Sequence, residues 1–287
     1  MDINQYKVNH EESFSFDNFP SSENKKSLND DIKENIIPEL TQQLRGLHLK
    51  LHAAEENGIL VVLQALDAAG KDEVISYIFS NLSAQGLKTT SFGKPTDTER
   101  KHDYLWRFHD GLPERGQIGI LNRSYYEDVL APRIHNLVEE KEKPDDAEEK
   151  NLWHTRYRQI NDYERYLTEN GFHVIKFFFN MSHEEQRNRL LERMTNPDKN
   201  WEFSFNDVKE REYWEDYQKL FSEMLEETST EHSPWYVLPA DDEWHTRRIV
   251  TEVMIEKIKS LNPQFPTISQ EDKEDLDKAI ERLKNEQ

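Results

Sequence analysis

Residues 59–72 read ILVVLQALDAAGKD, and this stretch decides the fold. Residues 59–63 form a short unbroken aliphatic run, which describes a parallel strand buried on both faces. Asn57-Gly58 breaks the chain before it, and the turn at 67–70 precedes a helix predicted over 73–82. Strand, glycine turn and helix in that order are the setting of a phosphate-binding loop. Backbone N–H groups at the helix start converge there on phosphate oxygens, and the helix dipole favours the anion. Small side chains at Ala68, Ala69 and Gly70 let the backbone approach, Asp67 and Asp72 flank the turn, and Lys71 places a cation on the transferring phosphates. Against the strict phosphate-loop pattern, Ala65 stands where the first glycine belongs, and Asp72 replaces the hydroxyl that reaches magnesium. Read alone, the stretch also describes a glycine-lysine turn with no ligand.

Outward from this loop, strands are predicted at 87–92, 117–121, 172–179 and 235–239. Helices are predicted at 28–54 (bent at Pro38), 104–112, 126–137, 153–167, 182–194, 205–226 and 244–261. Ser182 with Glu185 three residues on reads as a capping box. Strands alternating with helices predict an α/β fold, a parallel sheet with helices on both faces and ligands at the carboxyl ends of its strands. Residues 1–27 lack apolar periodicity and are expected to form a flexible N-terminal arm. Residues 28–262 are expected to form the domain that carries the loop, with lid helices around 182–226, and 263–287 a charged tail. The charge run over 139–150 is expected to be solvated and without a role.

Composition narrows the function. Of the 287 residues, 35% are hydrophobic, enough for a substantial core, and none is cysteine, which excludes a thiolate nucleophile, a thiolate metal site and a disulfide framework. The net charge of −20 argues against nucleic-acid and anionic-membrane partners. No apolar run is long enough to cross a bilayer and residues 1–35 do not resemble a signal peptide, so a cytoplasmic location is expected. An acidic chain can handle an anionic substrate only if its cations are concentrated at one place.

Two further clusters supply such places. Residues 120–128, ILNRSYYED, end a predicted strand. There Asn122, Glu127 and Asp128 offer a metal-side group and Arg123 a phosphate clamp, although the same acids would also complement the dipole of the next helix. Arg187, Arg189, Arg193 and Lys199 gather on and just beyond the helix after residue 179. Such lid arginines neutralise charge as phosphate moves, and they would equally pair with Glu184, Glu185 and Glu192 along the helix.

The chain resembles the second family of polyphosphate kinases. The matching phrases are LQALDAAGKD (63–72), SFGKPT (91–96), HDYLWR (102–107), LPERGQIGILNRSYYEDVL (112–130), NDYERYL (161–167), EEQRNRLLERM (184–194), PDKNWEFS (197–204) and SPWYVLPADDEW (233–244). Residues 122–128 resemble the version in the class that phosphorylates both nucleoside mono- and diphosphates. The resemblance implies a P-loop fold with a helical lid, Mg2+ or Mn2+, inorganic polyphosphate as donor, AMP, ADP and ATP as nucleotides, and a homo-oligomer (dimer or tetramer). It implies that Arg187, Arg193 and Lys199 meet the polyphosphate chain, that Lys94, Arg107 and Arg133 contact substrate, and that Asp67 with Glu127 or Asp128 faces the metal. Glu73, Glu202 and Glu243 depart from the family by adding acid; a Glu202 facing the polyphosphate channel would weaken binding of a long chain. An ATP-dependent nucleotide or nucleoside kinase and a non-catalytic nucleotide or polyphosphate sensor are the alternatives.

Overall fold

Ile59, Val61 and Leu63 face one hydrophobic core and Leu60 and Val62 the other, so the first strand, β1 (Gly58–Gln64), is buried on both sides. This is why its sequence is continuously apolar rather than alternating. The computed structural model describes residues 1–137 and 149–286. β2 (Leu87–Ser91), β3 (Ile118–Asn122), β4 (Phe172–Asn180) and β5 (Trp235–Pro239) complete a five-stranded sheet of order β2-β3-β1-β4-β5, parallel throughout.

One face carries α1 (Ile37–Ala54), α2 (Lys71–Tyr77) and, after β5, α8 (Glu243–Leu261). The other carries α3 (Glu127–Ile134), α4 (Glu149–Glu169) and α7 (Trp214–Thr228). The lid contributes α5 (His183–Thr195) and α6 (Phe205–Glu210), and α9 (Gln270–Lys284) closes the chain. The β1-to-β2 and β3-to-β4 crossovers run in opposite directions on opposite faces. The loops after β1 and β3 therefore diverge and open a crevice at the carboxyl edge of the sheet.

The predicted strands are all present, and the helices differ where tertiary contacts intervene. Pro38 cannot donate to the carbonyl four residues back, and the helix widens to a π turn over Ile32–Ile36 just before it. The helix expected at 104–112 is a 3-10 turn, Trp106–Gly111. The helix expected over 205–226 breaks at a 3-10 turn, Arg211–Tyr213, where Arg211 Nη1 reaches His183 O and Gln186 Oε1. Ser182 caps α5 as expected, accepting from Glu185 N at 3.1 Å. The reciprocal half of the capping box does not form: Ser182 N donates to Asp241, and Glu185 instead binds Arg189 and Lys26.

Residues 1–27, expected as a flexible arm, lie against the domain. Ile3, Tyr6, Val8 and Phe14 are buried, Val8 N donates to Trp235 O, and Lys7 bridges Tyr236 at the edge of the sheet. Further on, Ser21 O and Ser22 Oγ hold Asp241 and Asp242 beyond β5. An edge strand with unpaired backbone groups is satisfied by whatever chain can reach it, and apolar periodicity does not register such a segment. Of the charge run at 139–150, residues 139–148 lie outside the described residues, and Glu149 and Lys150 begin α4. No described helix is long and apolar enough to cross a membrane.

Candidate active site

The chain leaves β1 at Gln64 and turns through Ala68 and Gly70, whose φ values of 66° and 103° are both left-handed. Glycine alone adopts the second without strain. Lys71 opens α2, and its side chain curls back so that Nζ donates to Ala65 O (3.1 Å) and Leu66 O (3.3 Å). The loop is braced from the lid: Gln186 Nε2 donates to Asp67 O and Arg189 Nη1 to Ala68 O, at 3.1 and 3.2 Å. Arg189 also donates to Ala240 O and Glu185. It is thereby placed as a support for the loop rather than as a hand reaching into the cleft.

β3 ends at Asn122, whose Nδ2 donates to Asp72 Oδ1 at 2.6 Å and ties the second cluster to the first. Arg123 follows in a left-handed conformation (φ 66°), and its Nη2 lies 3.3 Å from Asp67 Oδ1. Glu127 opens α3 and accepts from Gln64 Nε2 at 2.9 Å. Burial pushes its carboxyl up from the ordinary value, opposed by that hydrogen bond and by the Lys71 and Arg123 charges. Neither Glu127 nor Asp128 lines the cleft; the Asp128 backbone carbonyl accepts from Arg156.

Between these loops and the lid is a cleft of about 380 Å³. Asp67 through Glu73 form its floor, with Asn122 and Arg123 beside them, Ser91–Gly93 at one end and Arg193, Glu202, Ser204 and Asp207 from the lid. Arg193 Nε lies 3.3 Å from Glu202 Oε2, and Lys199 Nζ 2.7 Å from Glu192 Oε1. Glu202, singled out in the sequence as a departure in the lid, does face the cleft; Ser204 and Asp207 were not legible as site residues, because only the fold of the lid brings them opposite the phosphate loop. Burial, with the Asp67 charge adding to it, pushes the Asp207 carboxyl up.

Other expected contacts lie off the cleft. Arg187 is exposed on α5, and Lys94 is exposed just past Gly93. Arg133 donates to Glu223 at 2.8 Å and covers the Trp153 ring. Arg107 is buried between Phe92 and Phe108, with Nη2 donating to Gly93 O. It shapes the β2 end of the cleft through that carbonyl.

The acids that line the cleft are Asp67, Asp72, Glu73, Glu202 and Asp207, and they offer carboxylate oxygens. Among the described residues, no group of three or more His, Cys, Asp or Glu side chains is arranged to hold an ion by itself. One or two carboxylates completed by water and phosphate oxygens suit Mg2+ or Mn2+ and exclude soft-metal chemistry. The residues present therefore fit such an ion.

A parallel sheet of this order, a lysine-bearing phosphate loop after β1 and an arginine-bearing lid define a P-loop phosphotransferase. Residues 27–266 match the family described as polyphosphate kinase 2 (PPK2), and the chain belongs to that family. It is 45% identical over 227 residues to an ADP-polyphosphate phosphotransferase of Rhodopseudomonas palustris, covering 78% of each chain. It is 41% identical to an AMP/ADP-polyphosphate phosphotransferase of Meiothermus ruber, covering 79% of this chain and 81% of that one. The crystal structure of polyphosphate kinase 2 from Arthrobacter aurescens TC1 superposes with a TM-score of 0.83 at 33% identity, covering 92% and 91% of the two chains.

Proposed function

We propose that this protein moves the terminal phosphate of inorganic polyphosphate to AMP and to ADP, reversibly, by metal-assisted in-line transfer. The observation that carries this reading is the convergence of Lys71, Arg123 and Arg193, from three separate elements, on one cleft. The relatives' names supply the donor and the acceptor class.

An acceptor phosphate oxygen attacks the terminal phosphorus while the bond to the bridging oxygen breaks, and the shortened polyphosphate leaves as an anion. No proton has to be removed from an acceptor that is already ionised. The loop amides and Lys71 hold phosphate oxygens, and Arg123 and Arg193 meet charge that spreads over the moving group. Asp67, with Asp207 as the facing carboxylate, would hold Mg2+ or Mn2+, which would supply positive charge to offset that of the phosphates. Glu127 acts from behind the cleft by holding Gln64, and Asp128 through its backbone carbonyl, which accepts from Arg156. The same reading places the enzyme in the cytoplasm as a homo-oligomer.

The test is ATP formation from AMP and from ADP, each with polyphosphate and Mg2+. Both acceptors are expected to yield ATP, and Lys71→Ala is expected to lose at least about a hundredfold in turnover while remaining folded. ATP from ADP alone would overturn the acceptor class, and an active Lys71→Ala variant would overturn the role given to the loop.

A further inference from the structure

Lys176 interrupts the apolar run of β4 and has no exposed side-chain surface. Its Nζ donates to Glu164 Oε2 (2.6 Å), Tyr126 OH (2.9 Å) and Thr228 O (2.7 Å), so all three of its protons are placed. Glu164, on α4 and equally buried, accepts on Oε1 from both Tyr125 OH and Tyr126 OH at 2.8 Å. Burial draws the lysine down from its ordinary value and the carboxylate beside it works the other way. Apolar residues of similar volume would often be as stable at such a place, so the pair's contribution to stability does not explain it.

The two tyrosines provide an explanation. They follow Arg123 by two and three residues, and Arg123 is held in a left-handed backbone conformation that a non-glycine residue keeps only when its surroundings enforce it. On its N-terminal side Asn122 is tied to Asp72. On its C-terminal side the fixed points are the Tyr125 and Tyr126 hydroxyls, both ending on Glu164. Tyr126 N also closes a turn on Ser124 Oγ, and Glu127 N one on Ser124 O.

We propose that Glu164 and Lys176 are positioning residues, a buried charged anchor that acts through Tyr125 and Tyr126 to hold Arg123 aimed into the cleft. The proposal rests on the phosphate-clamping role given to Arg123 above. It assigns work to the NDYERYL segment, none of whose side chains lines the cleft.

The test uses the full-length enzyme and the paired variant Tyr125→Phe/Tyr126→Phe, which leaves the Lys176–Glu164 contact in place. Its comparator is Trp235→Phe, which removes a hydrogen bond to Thr228 Oγ1 from the same core and keeps a ring against Tyr126, leaving both tyrosine hydroxyls on Glu164. The tyrosine pair is expected to lower kcat about tenfold, with KM for polyphosphate within about threefold of wild type. Trp235→Phe, matched for its loss of thermal midpoint, is expected to keep kcat within about twofold. In an Arg123→Ala background the tyrosine pair should cost less than about twofold further, because its effect runs through that arginine. A tyrosine pair with wild-type kcat, or one no worse than Trp235→Phe, overturns the proposal; so does a full tenfold loss in the Arg123→Ala background. Wild-type turnover in Arg123→Ala alone would instead sink the role of Arg123, and the anchor with it. Should the tyrosine pair fail to fold, Tyr126→Phe alone is held to the same comparisons.

Discussion

Glu202 and Arg193 face each other in the cleft, 3.3 Å apart, where the arginine, in the role proposed for it, meets polyphosphate. The carboxylate stands in for the phosphate that must displace it. In a partly exposed setting such a pair contributes about 0.2–1 kcal/mol and is screened by salt. Glu202→Gln is therefore expected to lower KM for long-chain polyphosphate by about two- to fivefold at low ionic strength, with kcat little changed and the advantage fading as salt is added. Initial rates against polyphosphate concentration at two ionic strengths measure this; a raised KM would mean that Glu202 positions Arg193 instead. The other two added acids are also met by cations. Glu243 lies 3.8 Å from Arg189 and 3.6 Å from Arg247, and Glu73 feels the Arg247 charge at the back of the phosphate loop. Much of the negative charge at this edge of the sheet is thus locally balanced, which reconciles a net charge of −20 with an anionic substrate.

Among the elements, α5 joins the lid to the phosphate loop. Its first turn is held by the Ser182 side chain and by Asp241, and its inner face presents Gln186 and Arg189 to the carbonyls of Asp67 and Ala68. Ser182→Ala removes the cap, which costs about 1 kcal/mol, equivalent to a fall of ~2–4 °C in thermal midpoint for a domain of this size. Because the same turn aims Gln186 and Arg189, turnover at a temperature where the variant is fully folded is expected to fall by about two- to fivefold as well. Thermal unfolding and kcat measured on one preparation check both; a lower midpoint with unchanged kcat would confine α5 to a structural role.

For the whole molecule, acid sensitivity follows from buried and half-buried histidines. Burial draws His173 down from 6.5 to about 4, and burial also lowers His48, His232 and His245. A histidine whose folded value lies below its unfolded value takes up its proton first in the unfolded chain. Its contribution to stability is complete above about pH 6.5 and is lost progressively as pH falls toward 4. The thermal midpoint is therefore expected to decline between pH ~7 and pH ~5, before most carboxylates titrate. His173→Gln should flatten that decline, and an identical slope in the variant would remove His173 from the account.

The strands, the phosphate loop and the end of β3 were legible in the sequence. A buried strand needs a continuous apolar run and a phosphate loop needs glycine and lysine at one turn, and both are properties of a few adjacent residues. Longer-range placement was not legible. Whether Arg189 braces the loop or lines the cleft depends on Ala68 and Ala240, far away in the chain. Asp207 and Glu202 join the site only because the lid folds back over residues 67–73. The first 27 residues have no periodicity, yet they dock because β5 leaves an edge to satisfy and the core leaves room for Ile3, Tyr6 and Val8. Lys176 carries a charge within an otherwise apolar strand, and only the fold brings Glu164 and two tyrosines around it. By itself the sequence determined the order of elements and the chemistry at the strand ends, because these follow from local spacing. Which charges face the cleft, which face each other and which are buried was decided by the tertiary structure, since a charge is neutralised by whatever packing brings within a few ångströms of it.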